Sequence, residues 1–189
     1  MKLFLVRHGE TDCNRALIVQ GWVHTPLNKK GRIQAHELGR RLKEKGIGFD
    51  HFYSSDLLRA YQTALIVNEY LKMPEIKRDP RLREVKRGIW NLQHIPKIKE
   101  KYYELWKIWD RDPYHMRPPL GESLEDAEKR VLNFVDYLRE MYPQDSRILV
   151  TTHRLLIVTF RHLFDRVEVT RENFFDLMLN NTECHIIEI

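Results

Sequence analysis

The sequence predicts a single-domain α/β protein, a three-layer α/β/α sandwich around a mostly parallel central sheet. Three observations predict it. Short apolar runs alternate with longer segments of helical periodicity, the order that builds parallel βαβ units. A chain of 189 residues is enough for one full core and short for two. Apolar residues make up 42% and charged residues 31%, a globular balance rather than a disordered one.

Leu3–Val6 is a short apolar run that meets polar residues and Gly9 at once, so it reads as a buried strand entering a loop. Leu27–Lys45 reads as a helix, with Asn28 as N-cap, Ile33, Leu38 and Leu42 as its apolar stripe and Gly46 as its stop. His51–Ser54 is a second strand. Asp56 is expected to cap the helix that follows, which carries Leu57, Ala60, Ala64, Leu65 and Val67 and ends near Leu71, before Pro74. Residues 75–93 read as irregular and basic. Ile95–Asp110 reads as one helix with Ile98, Tyr102, Leu105, Trp106 and Trp109 on one side, and the proline-rich stretch 112–121 as a loop. Residues 85–121 together form the expected cap or substrate loop of the domain. Glu122–Met141 has the longest helical pattern. Arg147–Thr152 reads as a buried strand, and Leu155–Phe164 as a helix. Phe174–Leu179 and Cys184–Ile189 are expected to be strands joined by a tight turn at Asn180-Asn181, an antiparallel edge to the sheet.

In such sheets ligands bind beyond the carboxyl ends of the strands. The loops there carry His8, Arg59 and His153. A neutral imidazole can attack phosphorus to give a phosphohistidine, which water then hydrolyses. The transferred group is anionic, so cations must flank the nucleophile. Arg7 adjoins His8, and guanidinium forks suit phosphate oxygens. Asn14 and Gln20 are candidate neutral donors. His153, at the end of another strand, can face the same phosphate. Glu84, in an irregular segment able to pass over the site, is the best carboxylate for protonating a leaving alcohol.

Five segments, in order, resemble the histidine phosphatase superfamily, in the branch of cofactor-dependent phosphoglycerate mutases and their phosphatase relatives. They are Arg7-His8-Gly9-Glu10-Thr11 with Asn14; Gln20-Gly21-Trp22 followed by Pro26-Leu27-Asn28 and Gly31; Ser54 to Ala64 around Arg59; Leu82-Arg83-Glu84 with Gly88 and Trp90; and Val150-Thr151-Thr152-His153. Gly121-Glu122-Ser123 resembles the loop before the late helix. The resemblance implies that His8 is the phosphorylated nucleophile, that Arg7, Arg59 and His153 bind the phosphoryl group, and that Glu84 is the proton donor. It also implies hydrolysis with no metal and no organic cofactor. The chain departs from the family pattern in having Arg154 after the second histidine, Gly88-Ile89-Trp90-Asn91-Leu92 in the acid segment, and His24-Thr25 ahead of Pro26. The first two departures bear on substrate recognition. Asn14, Gln20 and Gly21 are expected to contact substrate. Lys86, Arg87 and Arg154 fit either a second anionic group of the substrate or a solvated surface. Trp106 and Trp109 fit a core stripe better than a substrate cap.

The expected activity is phosphomonoester hydrolysis on a small phosphorylated metabolite. The alternatives are a phosphoglycerate mutase, disfavoured by the short stretch from Glu84 to Gly121, and a weakly active phospho-ligand-binding protein. A net charge of +5 favours anionic partners. The basic residues are scattered, which points away from nucleic acid. No apolar run approaches the ~20 residues of a membrane span. Two distant cysteines, Cys13 and Cys184, and no export signal fit a cytoplasmic protein. A homodimer stays open.

Overall fold

Successive strand residues face opposite sides of a sheet, and the apolar runs divide accordingly. Leu3, Leu5, Tyr53, Ile148 and Val150 pack into one core with Val131, Phe134, Val135, Leu138, Leu156 and Phe160. Phe4, Val6, Phe52 and Leu149 pack into a second with Leu38, Leu42, Ala64 and Val67. A sheet buried on both faces, with helices over each, is the expected three-layer sandwich.

A computed structural model describes all residues, 1–189. The strands are β1 (Lys2–Arg7), β2 (His51–Ser54), β3 (Lys77–Arg78), β4 (Arg147–Thr152) and β5 (Cys184–Glu188), in the spatial order β3-β2-β4-β1-β5. All neighbours pair in parallel except β5, which runs antiparallel to β1. Helices α2 (Lys29–Glu44) and α3 (Leu58–Leu71) cover one face, and α6 (Leu124–Met141) and α7 (Arg154–Phe164) the other. Short helices α1 (Asp12–Arg15), α4 (Ile95–Lys101) and α5 (Tyr103–Arg111) lie in the connections. No helix is long and apolar enough to cross a membrane.

Local chemistry explains the boundaries. The Asn28 side chain accepts from Gly31 N at 2.8 Å and caps α2. Ser123 and Asp126 form a reciprocal capping box that starts α6. Asp56 does not cap α3. The cap position is Leu57, without a side-chain bond, and the Asp56 carboxylate instead pairs with Arg83, 2.8 Å from its Nε. The helix expected over Ile95–Asp110 is broken at Tyr102, whose φ of −119° and ψ of 42° are not helical. The basic segment expected to be irregular contains β3 and two 3-10 turns, Pro80–Leu82 and Gly88–Trp90.

Phe174–Leu179 is not a strand. Thr170 and Asn173 exchange backbone-to-side-chain bonds, and Phe174 N and Leu177 N then bond back to Thr170 O and Asn173 O. The buried pair, Phe174 and Leu177, is spaced for a helical turn rather than for alternation. Without that strand there is no terminal hairpin, and β5 pairs with β1 alone.

One close approach locks the loop after β1 onto α2. A Cβ at Gly31 would press on Glu10 backbone atoms, within 2.9 Å of its carbonyl carbon, and one at Gly9 would lie 2.5 Å from Gly31 O. Gly31→Ala gains ~1 kcal/mol of helix propensity but must displace backbone. We expect a net destabilisation of about 2 kcal/mol, read as a lower urea midpoint; an unchanged or raised midpoint would show that the loop yields freely.

Candidate active site

Parallel pairing sets Arg7 opposite Thr152, so the residue after each strand emerges beside the other. These residues are His8 and His153, both buried, with ring centroids 5.2 Å apart. The His8 tautomer follows from its neighbours. Arg59 Nε, which can only donate, lies 3.2 Å from His8 Nε2. That nitrogen therefore carries the lone pair, and Nδ1–H donates to Gly9 O at 2.7 Å.

The rest of the Arg59 fork donates to Val23 O and Gly21 O, each at 2.8 Å. Gly21 adopts φ +46°, and a Cβ there would strike the Asn91 side chain. Arg7 donates to Leu179 O at 2.8 Å. The loop that carries His8 is held by Thr63, which accepts from Gly9 N at 3.0 Å, and by Asn181, which donates to His8 O at 2.8 Å. His153 Nε2 meets Ser55 Oγ at 2.8 Å, while its Nδ1 is buried with no partner.

Glu84 reaches the start of α7. Its carboxyl group accepts from Val85 N at 3.0 Å, Leu155 N at 3.2 Å and Leu156 N at 3.3 Å. The Glu84 backbone is fixed by Trp22 Nε1 at 2.6 Å. Arg130 of α6 also donates to the carbonyls of Arg81, Arg83 and Glu84. Thr63, Ser55, Asn181 and Arg130 have no site role in the sequence reading. Thr63 and Ser55 lie within the matched segment around Arg59, and Asn181 in the expected turn; nothing marks Arg130.

Arg7, His8, Asn14, Gln20, Gly21, Arg59, Glu84, Arg87 and Arg154 line one cavity of about 300 Å³. Asn14 and Gln20 accept from Thr11 through their oxygens, which leaves their amide N–H groups available. His153 is fully buried and does not line the cavity. Lys86 does not line it either: it is exposed, its Nζ 5.7 Å over the Trp22 ring, because the chain turns Arg87 inward instead. Trp106 and Trp109 pack against the core, as the stripe reading expects, and also line the cavity.

Burial, then the Arg59 charge, holds the pKa of both histidines well below the ordinary value. Burial also lowers Arg7 and Arg59 to about 10, so at neutral pH charged guanidiniums surround neutral imidazoles. No group of three His, Cys, Asp or Glu side chains is gathered to hold a metal ion.

A family model for the histidine phosphatase superfamily (branch 1) matches residues 3–189. The chain belongs to that superfamily. It is 32% identical to the 2,3-bisphosphoglycerate-dependent phosphoglycerate mutase of Bartonella henselae, over 90% of this chain and 86% of the relative. Its identity to phosphoserine phosphatase 1 of Hydrogenobacter thermophilus is also 32%, over 80% of this chain and 70% of that one. Among solved structures, a mycobacterial glucosyl-3-phosphoglycerate phosphatase in complex with VO3 superposes with a TM-score of 0.87 at 28% identity, covering 98% of this chain and 91% of that one.

The neutral histidines of this histidine phosphatase make its stability depend on acid. As pH falls below about 6.5, the unfolded chain takes up protons that folded His8 and His153 refuse, so stability falls. Each histidine contributes up to ~1.4 kcal/mol per pH unit. Urea midpoints between about pH 7.5 and 5.5 should drop steeply, and His8→Asn should remove about half of the slope; a flat wild-type profile would contradict it.

Proposed function

We propose that the chain is a metal-independent phosphomonoesterase that hydrolyses a small phosphorylated metabolite through a phosphohistidine on His8. The observation that carries this reading is the set of buried N–H groups around His8 that have no protein partner. Arg7 Nε, Arg154 Nε and His153 Nδ1 are all of this kind. Buried donors of this sort are costly unless a ligand completes them, and three together favour an anion.

His8 Nε2 attacks phosphorus with its lone pair while the P–O bond to the alcohol breaks. Arg59 leaves the imidazole for the phosphoryl oxygens, joined by Arg7; that movement uncovers His153 Nδ1–H, whose Nε2 is held by Ser55 Oγ, to donate as well. Glu84 gives its proton to the leaving oxygen. Water then attacks the phosphohistidine, Glu84 takes back a proton, the P–N bond breaks, and His8 and inorganic phosphate are regenerated. Residues 85–121 act as the cap that selects the substrate. Two of the relatives are phosphatases of small phosphorylated metabolites by name, which supports hydrolysis. The mutase relative sets the alternative.

The wild type should release phosphate from p-nitrophenyl phosphate in excess chelator, and His8→Ala should abolish release. Full activity in that variant would sink the mechanism. Interconversion of 2- and 3-phosphoglycerate outpacing phosphate release would replace hydrolysis with mutation.

Glu84→Gln should lower kcat/KM on an alkyl phosphate by roughly 10²–10⁴-fold. The loss on p-nitrophenyl phosphate should be much smaller, because nitrophenolate leaves unprotonated. Equal losses on the two esters would show that Glu84 is not the acid.

A further inference from the structure

The buried arginines of this protein differ in what satisfies them. Arg59 spends its fork on His8 and two carbonyls, Arg7 donates to Leu179 O, and Arg130 donates to three carbonyls. Arg87 is buried too, at 8% exposure, yet its guanidinium has no hydrogen bond or ion pair within the chain. Its guanidinium lies 4.9 Å from the Trp90 ring and 5.7 Å from the Trp109 ring. Ring contacts engage a guanidinium through its face, and leave the in-plane N–H edge to donate. That side chain lines the cavity that holds His8. The indole N–H groups of Trp90 and Trp109 are buried there without partners as well.

We propose that Arg87 anchors a second anionic group of the substrate, so that the chain acts on phosphomonoesters bearing a carboxylate or a second phosphate on an apolar body. This rests on the phosphatase reading above and names its substrate class. The charge balance supports it. Arg7 and Arg59 flank the nucleophile, while Arg87, Arg154 and Lys99 add further cations to a wall whose one carboxylate is Glu84. Glu84 is engaged with the N-terminus of α7. Burial lowers the Arg87 pKa only to about 10, so it is charged at neutral pH. A buried charge without a partner is strongly unfavourable, and a ligand anion removes that penalty through a paired hydrogen bond. The wall of the same cavity also includes Ile18, Ile95, Trp106 and Leu155, which suits an apolar body.

Phenyl phosphate, the three carboxyphenyl phosphates and the phenylene bisphosphates form a matched panel. For the wild type, at least one doubly anionic member should exceed phenyl phosphate by tenfold or more in kcat/KM, chiefly through KM. The carboxylate and bisphosphate arms distinguish the two anions. In Arg87→Met that ratio should fall to within twofold of unity, and Arg87→Lys should keep an intermediate ratio. No preference anywhere in the wild-type panel, or a preference that survives Arg87→Met, overturns the proposal; the wild-type comparison holds even if a variant fails to fold. If the wild type hydrolyses none of these esters, the phosphatase reading is what fails. Arg87 is then judged by tryptophan fluorescence titration: tenfold tighter binding of a carboxyphenyl phosphate than of phenyl phosphate supports it, and equal affinity refutes it.

Discussion

The in-register parallel pairing of β1 with β4 is the constraint on which the rest of the site depends. Side chains alternate along a strand, so a slip of one residue would send a strand's buried set to the opposite face. Leu3 and Leu5 would exchange cores with Phe4 and Val6. Two filled cores therefore hold the register, and the register brings His8 and His153 ring to ring. The other parts of the site are added to that pair: Arg59 from α3, Glu84 over the start of α7, and Asn181 and Leu179 from the segment before β5.

The way the cations are held matters as much as where they lie. Arg7 and Arg59 are oriented by backbone carbonyls rather than by carboxylates. A carbonyl fixes the geometry of a guanidinium without cancelling its charge. The cavity stays electropositive, and burial together with that charge keeps the two embedded histidines neutral. Preorganised charge of this kind serves phosphoryl transfer because little has to move as the anion develops.

Much of this was legible in the chain itself. The strands around Leu3–Val6, His51–Ser54 and Ile148–Val150 are short apolar runs that only a doubly covered sheet can bury, and they lead directly to His8, Arg59 and His153. What was not legible depends on partners far away in sequence. Asp56 looks like a helix cap because caps are local, yet Arg83 claims it from 27 residues away. Phe174–Leu179 has a strand's composition, but the Thr170–Asn173 exchange winds it into turns. Lys86 and Arg87 are indistinguishable as residue types, and only the path of the 3-10 turn decides which faces the cavity. Arg130 sits in an ordinary amphipathic helix, and its role appears only when three carbonyls of a distant segment arrive beside it.

The strand that leads to His8 is made well before the segments that complete its surroundings. β1 lies between β4 and β5, the Met1 amino group donates to Ile189 O, and Asn181 secures the His8 carbonyl. During synthesis these partners leave the ribosome more than a hundred residues after His8 does. Contacts of such long sequence separation form slowly, after the entropy of closing the chain has been overcome. The imidazole pair is consequently assembled only after β4 has been made, and His8 gains its last backbone partner only when Asn181 follows.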